Sequence, residues 1–296
     1  MGLPMAGHLA SAGHALTVYD LNDQVLARLQ ANHPGVAVAA SPRDVGAASD
    51  IVITMLPNGA HVQATALGPE GLIHSLNPGA LLLDTSSSEP WHTTQTAARL
   101  AEAGIAMVDA PVSGAEAGAI SGELVFMVGG DGAAVERVRP LLDIMGKQMF
   151  HLGPIGAGHA MKSINNLITA VTFMATAEGL IAGKAFGLDP AVMTDVLNQS
   201  TGMSWISQTH IARRILSRRF DDAFKLDLMV KDIGIALQVA EQLELDLPLS
   251  ATARTLWLQA QAGIPAGSSV SELVRSIETR TGVDLTSPSL EAEARG

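Results

Sequence analysis

The sequence predicts a doubly wound α/β domain followed by an all-helical domain, on three observations. From residue 15 to 152, short runs rich in Val, Ile and Leu alternate with helical segments. Such runs, near-continuous rather than strictly alternating, mark strands covered on both faces. After Gly153 the strand-like runs stop, and helical periodicity governs from about 157 to 280. Finally, 296 residues, 47% hydrophobic and 16% charged, suffice for two cores. The domains are expected at 1–152 and 153–296.

The elements follow in order. "MGLPMAGHLASAGHALTVYD" reads as a helix over 7–15 and a strand ending in an acid, Asp20. "DIVITMLP" (50–57) is a strand closed by Pro57, and "GALLLDTS" (79–86) is another. A helix through "WHTTQTAARLAEAG" (91–104) leads to the strand-like "IAMVDAPVSG" (105–114), "LVFMVGGD" (124–131) and "KQMFHLG" (147–153). This strand–helix alternation is the doubly wound pattern. The helical domain opens with one helix from about 157 to 186, roughly 45 Å long at 1.5 Å per residue. Breaks are expected at "GLDP" (187–190), "LDLP" (245–248) and "AGIPAGSS" (262–269). The tail "SPSLEAEARG" is expected to fray.

Composition excludes several classes of function. A net charge of −11 and an aromatic content of 3% argue against a nucleic-acid partner. The absence of cysteine excludes disulfides, thiol catalysis and Cys-type zinc sites. The nine histidines show no metal-ligand spacing, so no metal is expected; His8 reads as a helix-surface residue. The apolar stretch 165–183 is interrupted by Glu178 and opened by Asn165 and Asn166. It therefore reads as a helix buried on all sides of a large domain, not a membrane span. With no basic-then-apolar leader in view, the expected location is the cytoplasm.

A Rossmann-type dinucleotide site needs a strand running into G-x-G-x-x-G and then a helix, whose N-terminus holds the pyrophosphate. Gly2 can serve as the last of those glycines. Asp20, 18 residues on, can accept hydrogen bonds from both ribose hydroxyls. It would repel a 2′-phosphate, and no Arg follows it in "DLND", so NAD is favoured over NADP. The first strand and its G-x-G do not appear ahead of Gly2. The expectation is that the recorded start falls inside the glycine loop, Met1 being an internal residue of it. A sheet without that central strand is expected to be unstable, each unpaired buried backbone group costing about 1–3 kcal/mol.

On four segments the chain resembles the β-hydroxyacid dehydrogenase family, from Gly2 to about 285. "MGLPMAGHLASAGHALTVYD" is similar to the end of the family's glycine-loop signature, and "DAPVSGAEAGAISGELVFMVGG" (109–130) to its substrate-binding motif. "GAGHAMKSINN" (156–166) resembles the catalytic segment, and "FKLDLMVKD" (224–232) the segment that closes the site. The resemblance implies a hydride transferred between NAD and a small anionic 3-hydroxy acid such as 3-hydroxyisobutyrate, with tartronate semialdehyde reduction close behind.

The resemblance also implies roles for residues. Lys162 is the general acid/base. Near a helix N-terminus among apolar neighbours its charged form is disfavoured, toward a range useful for proton transfer. Asn165 and Asn166 share its helix face, and Asn166 can bond the substrate or the amine without competing for the proton. By spacing alone the pattern also suits a surface lysine with two capping-type asparagines. Ser113 and Gly114 suit a substrate carboxylate at a strand's carboxyl end, or an ordinary turn. Lys231 and Asp232 lie against cofactor and substrate, or form a solvated charge pair. Met55, Leu56 and Pro57 offer backbone contacts to the adenine or ribose, and Ser86 and Ser87 follow the next strand on the nicotinamide side. The family pattern gives His151 and His159 no role.

Two departures stand out besides the missing G-x-G. The family commonly has Gly-Gly after the motif serine, where this chain has Gly114-Ala115, and often Thr where Ser87 stands. Lys162 speaks against an imine reductase, and the shortage of further basic residues against 6-phosphogluconate as substrate. A reading of another class is a catalytically impaired relative acting as a scaffold. The long apolar helix makes a homodimer or homotetramer the expected assembly.

Overall fold

Strands apolar on both faces need helices above and below, and the first part of the chain supplies them. In the computed structural model, which describes residues 1–293, the chain divides into two units, Met1–Lys162 and Ser163–Gly296. The first runs α1 (Gly2–Ser11), β1 (Thr17–Val18), α2 (Asp23–Asn32), β2 (Ala37–Val38), α3 (Pro42–Ala47), β3 (Ile51–Thr54), α4 (Gly59–Leu67), β4 (Leu81–Asp84), α5 (Pro90–Glu102), β5 (Ala106–Asp109), β6 (Val112–Ser113), α6 (Ala115–Ser121), β7 (Leu124–Gly129), α7 (Gly132–Met145) and β8 (Gly146–Gly153). Asn22, Ser41, Asn58 and Asp131 cap α2, α3, α4 and α7 through their side-chain oxygens. The first helix begins at Gly2 rather than near residue 7, since Pro4 sits in its first turn, where a missing N–H costs nothing.

The larger sheet is the parallel, helix-covered sheet of the doubly wound class, with antiparallel pairing added along one side. β3, β4 and β5 are parallel (Ile51↔Leu81, Leu81↔Ala106), but β7 is antiparallel to β5 and β6, and β8 is parallel to β7. The cause is local. Beyond Pro111, Val112 and Ser113 pair with Phe126 and Val125, so the chain returns beside the strand it has just left. A parallel return would need a longer crossover. β1 and β2 form a separate parallel pair (Thr17↔Ala37, Val18↔Val38). Among the described residues no ladder joins β1 to β3, the two strands that flank the first strand in the doubly wound order.

β4 shows why the sheet holds. Leu81 and Leu83 pack with Met5, Leu9, Val135 and Val138 on one face, and Leu82 packs with Val62, Leu72 and Leu100 on the other. All three leucines are fully buried, as side-chain alternation between two covered faces requires.

α8 (Ala157–Phe186) has the expected bounds and carries the chain into the second unit. There follow α9 (Pro190–Asn198), a π-helical segment Ser207–Leu216, α10 (Leu226–Gln242), α11 (Pro248–Ala262), α12 (Glu272–Thr281) and α13 (Pro288–Glu293). The three expected breaks fall between helices, and the π-helical segment is the unforeseen element. The core gathers Phe173, Ile211, Ile233, Trp257 and Ile277, with the Trp257 indole N–H donating to Ala170 O. α8 is long and apolar enough to cross a membrane, yet Ala170, Phe173, Ala177 and Leu180 line this core. Its burial is one-sided, not all round: Ile164 and Ile168 on another face are exposed. In the tail, residues 294–296 lie outside the described residues. Ahead of them α13 is helical where fraying was expected, because the Ser287 hydroxyl and the Ser289 N–H both donate to the Asp189 carboxylate.

Candidate active site

Ligands of open α/β sheets sit beyond the carboxyl ends of the strands, and most of the expected residues of the first unit lie there. Asp20 is exposed two residues past β1, its Oδ1 accepting the Asn22 N–H at 2.8 Å. Met55, Leu56 and Pro57 follow β3, and Ser86 and Ser87 follow β4. Ser113 ends β6, with Gly114 at a φ of 124° after it. Gly2 is brought against Met55: a Cβ on it would lie 3.7 Å from Met55 Cβ. Among the described residues no side chain caps the N-terminus of α1, so its first-turn N–H groups suit an anion. An exposed acid for a ribose, an uncapped helix start for phosphate and a glycine next to Met55 together fit a dinucleotide.

The loops after these strands are tied to one another. Leu56 N–H donates to Ser86 Oγ (2.8 Å), and Gly59 N–H to Glu89 Oε2 (3.0 Å). Thr54 Oγ1 and Ser88 Oγ donate to the buried Asp84 carboxylate (both 2.9 Å), which also accepts Ser86 N–H (3.0 Å). The Leu56 N–H is therefore committed within the protein, and Ser86 is a fully buried brace. Leu56 and Ser87 themselves are half-buried.

The same network takes in the start of α8. Asp109, at the end of β5, accepts Gly156 N–H at 2.7 Å on one oxygen and His159 N–H at 2.8 Å on the other. His159 Nε2 donates to Ser86 O (3.0 Å), and its Nδ1 lies 2.8 Å from Thr93 Oγ1. Lys162 is half-buried one turn further along the helix. Sequence reasoning passed over His159, although a signal was present: β4 and β5 each end an apolar run in an aspartate, "LLLD" and "AMVD", and both acids are fully buried. His8 is also more than a surface residue. Its Nε2 lies 3.0 Å and 3.1 Å from the Ala119 and Ile120 carbonyls in α6, the helix after Ser113–Gly114.

Within the second unit another set converges. Asn166 Nδ2 donates to Asp232 Oδ2 at 2.5 Å, Asn165 Nδ2 donates to Asn166 Oδ1 at 3.1 Å, and Lys231 Nζ pairs with Asp232 Oδ1 at 3.5 Å. Asp232 is buried, so it is no solvated half of a charge pair; it orients Asn166 and Lys231.

Residues 1–153 match the family model of the NAD binding domain of 6-phosphogluconate dehydrogenase, and residues 156–277 that of the NAD-binding region of NADP-dependent 3-hydroxyisobutyrate dehydrogenase. An NAD-dependent L-serine dehydrogenase of Pseudomonas aeruginosa is 38% identical over 87% of this chain and 88% of its own. A 2-hydroxy-3-oxopropionate reductase of Escherichia coli is 36% identical over 94% of both. The structure of Mycobacterium tuberculosis 3-hydroxyisobutyrate dehydrogenase with L-serine superposes with a TM-score of 0.85 at 31% identity, covering 94% of this chain and 95% of that one. Given these matches, and a sheet whose carboxyl edge fits a dinucleotide, the chain belongs to the β-hydroxyacid dehydrogenase family, whose members use NAD(P) to oxidise the CH–OH group of small hydroxy acids.

Proposed function

We propose that this chain interconverts a small 3-hydroxy acid such as 3-hydroxyisobutyrate and its aldehyde, with Lys162 as general acid/base. The observation that carries the reading is the anchoring of the first turn of α8 onto the carboxyl ends of β4 and β5, through Asp109 and His159. Lys162 stands one turn beyond that anchor, in the same unit as Ser113 and Gly114. Bound NAD supplies the hydride acceptor. The chain's own part is binding and proton transfer. Ser113 Oγ and Gly114 N–H hold the substrate carboxylate, and Lys162 Nζ takes the hydroxyl proton on oxidation and returns it on reduction. Asn166, braced by Asp232, supports the amine or the substrate oxygen, and Lys231 adds positive charge for an anionic substrate. Asp20 supports NAD over NADP by repelling a 2′-phosphate.

Lys162→Ala is expected to lower kcat by roughly 10²–10⁴-fold, while NADH still binds as followed by its fluorescence. Unchanged turnover discards the assignment. Tartronate semialdehyde reduction is the second reading, supported by the likeness to the Escherichia coli reductase. 3-Hydroxyisobutyrate, glycerate and L-serine share the core HO–CH2–CHX–COO⁻ and differ only in X, a methyl, hydroxyl or amino group. Comparing kcat/KM across the three decides between the readings, with the methyl compound expected highest. The exposed Ile164 and Ile168 of α8, with Val192 and Val196 of α9, support packing of a second copy. Light scattering of the native protein measures this, and the mass of a single chain ends the idea.

A further inference from the structure

We propose that His159 is a positioning residue for this reaction: it locks the first turn of α8, and with it Lys162, onto the loop after β4. The inference rests on the assignment of Lys162 given above.

The His159 side chain is fully buried. A carbonyl oxygen only accepts, so Nε2, 3.0 Å from Ser86 O, carries the proton. Nδ1 lies 2.8 Å from Thr93 Oγ1 on α5, whose hydroxyl also reaches Glu89 O at 3.2 Å. Two buried carboxylates flank the ring, Asp84 Oδ2 3.6 Å from Nε2 and Asp109 Oδ2 3.6 Å from Nδ1. The ring thus joins α8 at once to β4, β5 and α5. The backbone around it is fixed as tightly, since both Asp109 oxygens bind N–H groups of this segment. Gly158 allows the approach: a Cβ there would collide with Met127 O and lie 2.8 Å from Asp109 Oδ2.

Ser86, the residue His159 holds, in turn receives the Leu56 N–H. One ring therefore sets the register between Lys162, three residues further along α8, and both loops expected to line the cofactor. Small displacements of a proton-transfer group cost rate without costing binding, because only the transition state needs the exact distance.

The test compares His159→Leu, His159→Gln and Thr93→Val with the unaltered enzyme and with Lys162→Ala. It measures kcat and KM for the hydroxy acid, the pH midpoint of kcat, NADH affinity by fluorescence, and thermal melting. His159→Leu is expected to lower kcat by about 10–100-fold per folded molecule, with KM and NADH affinity within about threefold and the pH midpoint moved by roughly half a unit or more. His159→Gln, whose amide can donate to Ser86 O, is expected to recover most of the rate. Thr93→Val, nearly isosteric, should give a smaller loss of the same kind, and it carries the test alone if His159→Leu does not fold. A full kcat per folded molecule in the informative variant, with only the melting temperature lowered, overturns the proposal. So does a Gln variant as slow as the Leu variant. If Lys162→Ala keeps its turnover, the general-base assignment fails, and this proposal with it; if only the His159 and Thr93 variants are silent, the proposal alone fails.

Discussion

Ala115 has a φ of 52°, directly after Gly114 at 124°. The left-handed region costs an L-residue roughly 1–2 kcal/mol, so a glycine belongs there on conformational grounds. Ala115→Gly is expected to change the unfolding free energy by between zero and about +1 kcal/mol, since relief of strain outweighs the greater freedom glycine has in the unfolded chain. Urea denaturation measures it, and a loss beyond 1 kcal/mol would show that the turn is unstrained. The departure was legible as a letter, Ala in place of Gly, but its physical content was not, because a backbone angle leaves no trace in composition. Lys162, Ser113 and Asn166 could be proposed from the sequence because each sits in a short contiguous motif. His159 could not, because its partners Ser86 and Thr93 lie 73 and 66 residues away. Long-range polar contacts have no period to read.

α9 depends on one carboxylate. Asp189 accepts the Ser287 hydroxyl at 2.6 Å, caps the helix through Ala191 N–H at 2.8 Å, and takes Ser289 N–H at 3.1 Å. The Ser287 hydrogen bond, ahead of the two backbone donors and against a burial effect that raises it, holds its pKa down at about 2. A folded pKa below the unfolded one means that the stabilisation is fully present above the ordinary carboxylate range. It is lost as pH falls toward 2. Asp189→Ala should therefore destabilise by about 1 kcal/mol at neutral pH, and its melting temperature should approach that of the unaltered protein between roughly pH 4 and pH 2. A gap that stays constant over that range removes the carboxylate from the account. At this scale the sequence was most informative where glycine, proline and acids punctuate it. The end of α8 is announced by "GLDP", in which Gly187 adopts a φ of 106° and Pro190 opens the next helix. Strand direction was not legible, because an apolar run has the same pattern read either way, and so β7 could not be assigned antiparallel. β2 pairs over only two residues, too few for any period.

For the molecule as a whole, the order of a sheet-containing unit and then a helical one was legible because apolar periodicity changes at Gly153, and that change is a property of long stretches. The division of the strands into two sheets bears on stability. β1 and β2 share their own ladder, with Ala37 N–H donating to Leu16 O and Ala39 N–H to Val18 O, and among the described residues no rung reaches β3. Among the described residues no backbone ladder couples them, so the small sheet is expected to open without the large one. In heavy water the amides of Ala37 and Ala39 should exchange well before those of Leu82 and Leu83; equal protection would mean that side-chain packing alone couples the sheets. Asp20 follows β1 of the small sheet and Met55–Pro57 follow β3 of the large one, so a dinucleotide that touched both, as proposed, would act as a stitch across the seam. Saturating NAD, at a hundredfold over its Kd, can add up to about 2.7 kcal/mol to the sealed form, and the slowed isotope uptake should appear first at Ala37 and Ala39. In this domain the coenzyme would be a structural fastener as well as an oxidant.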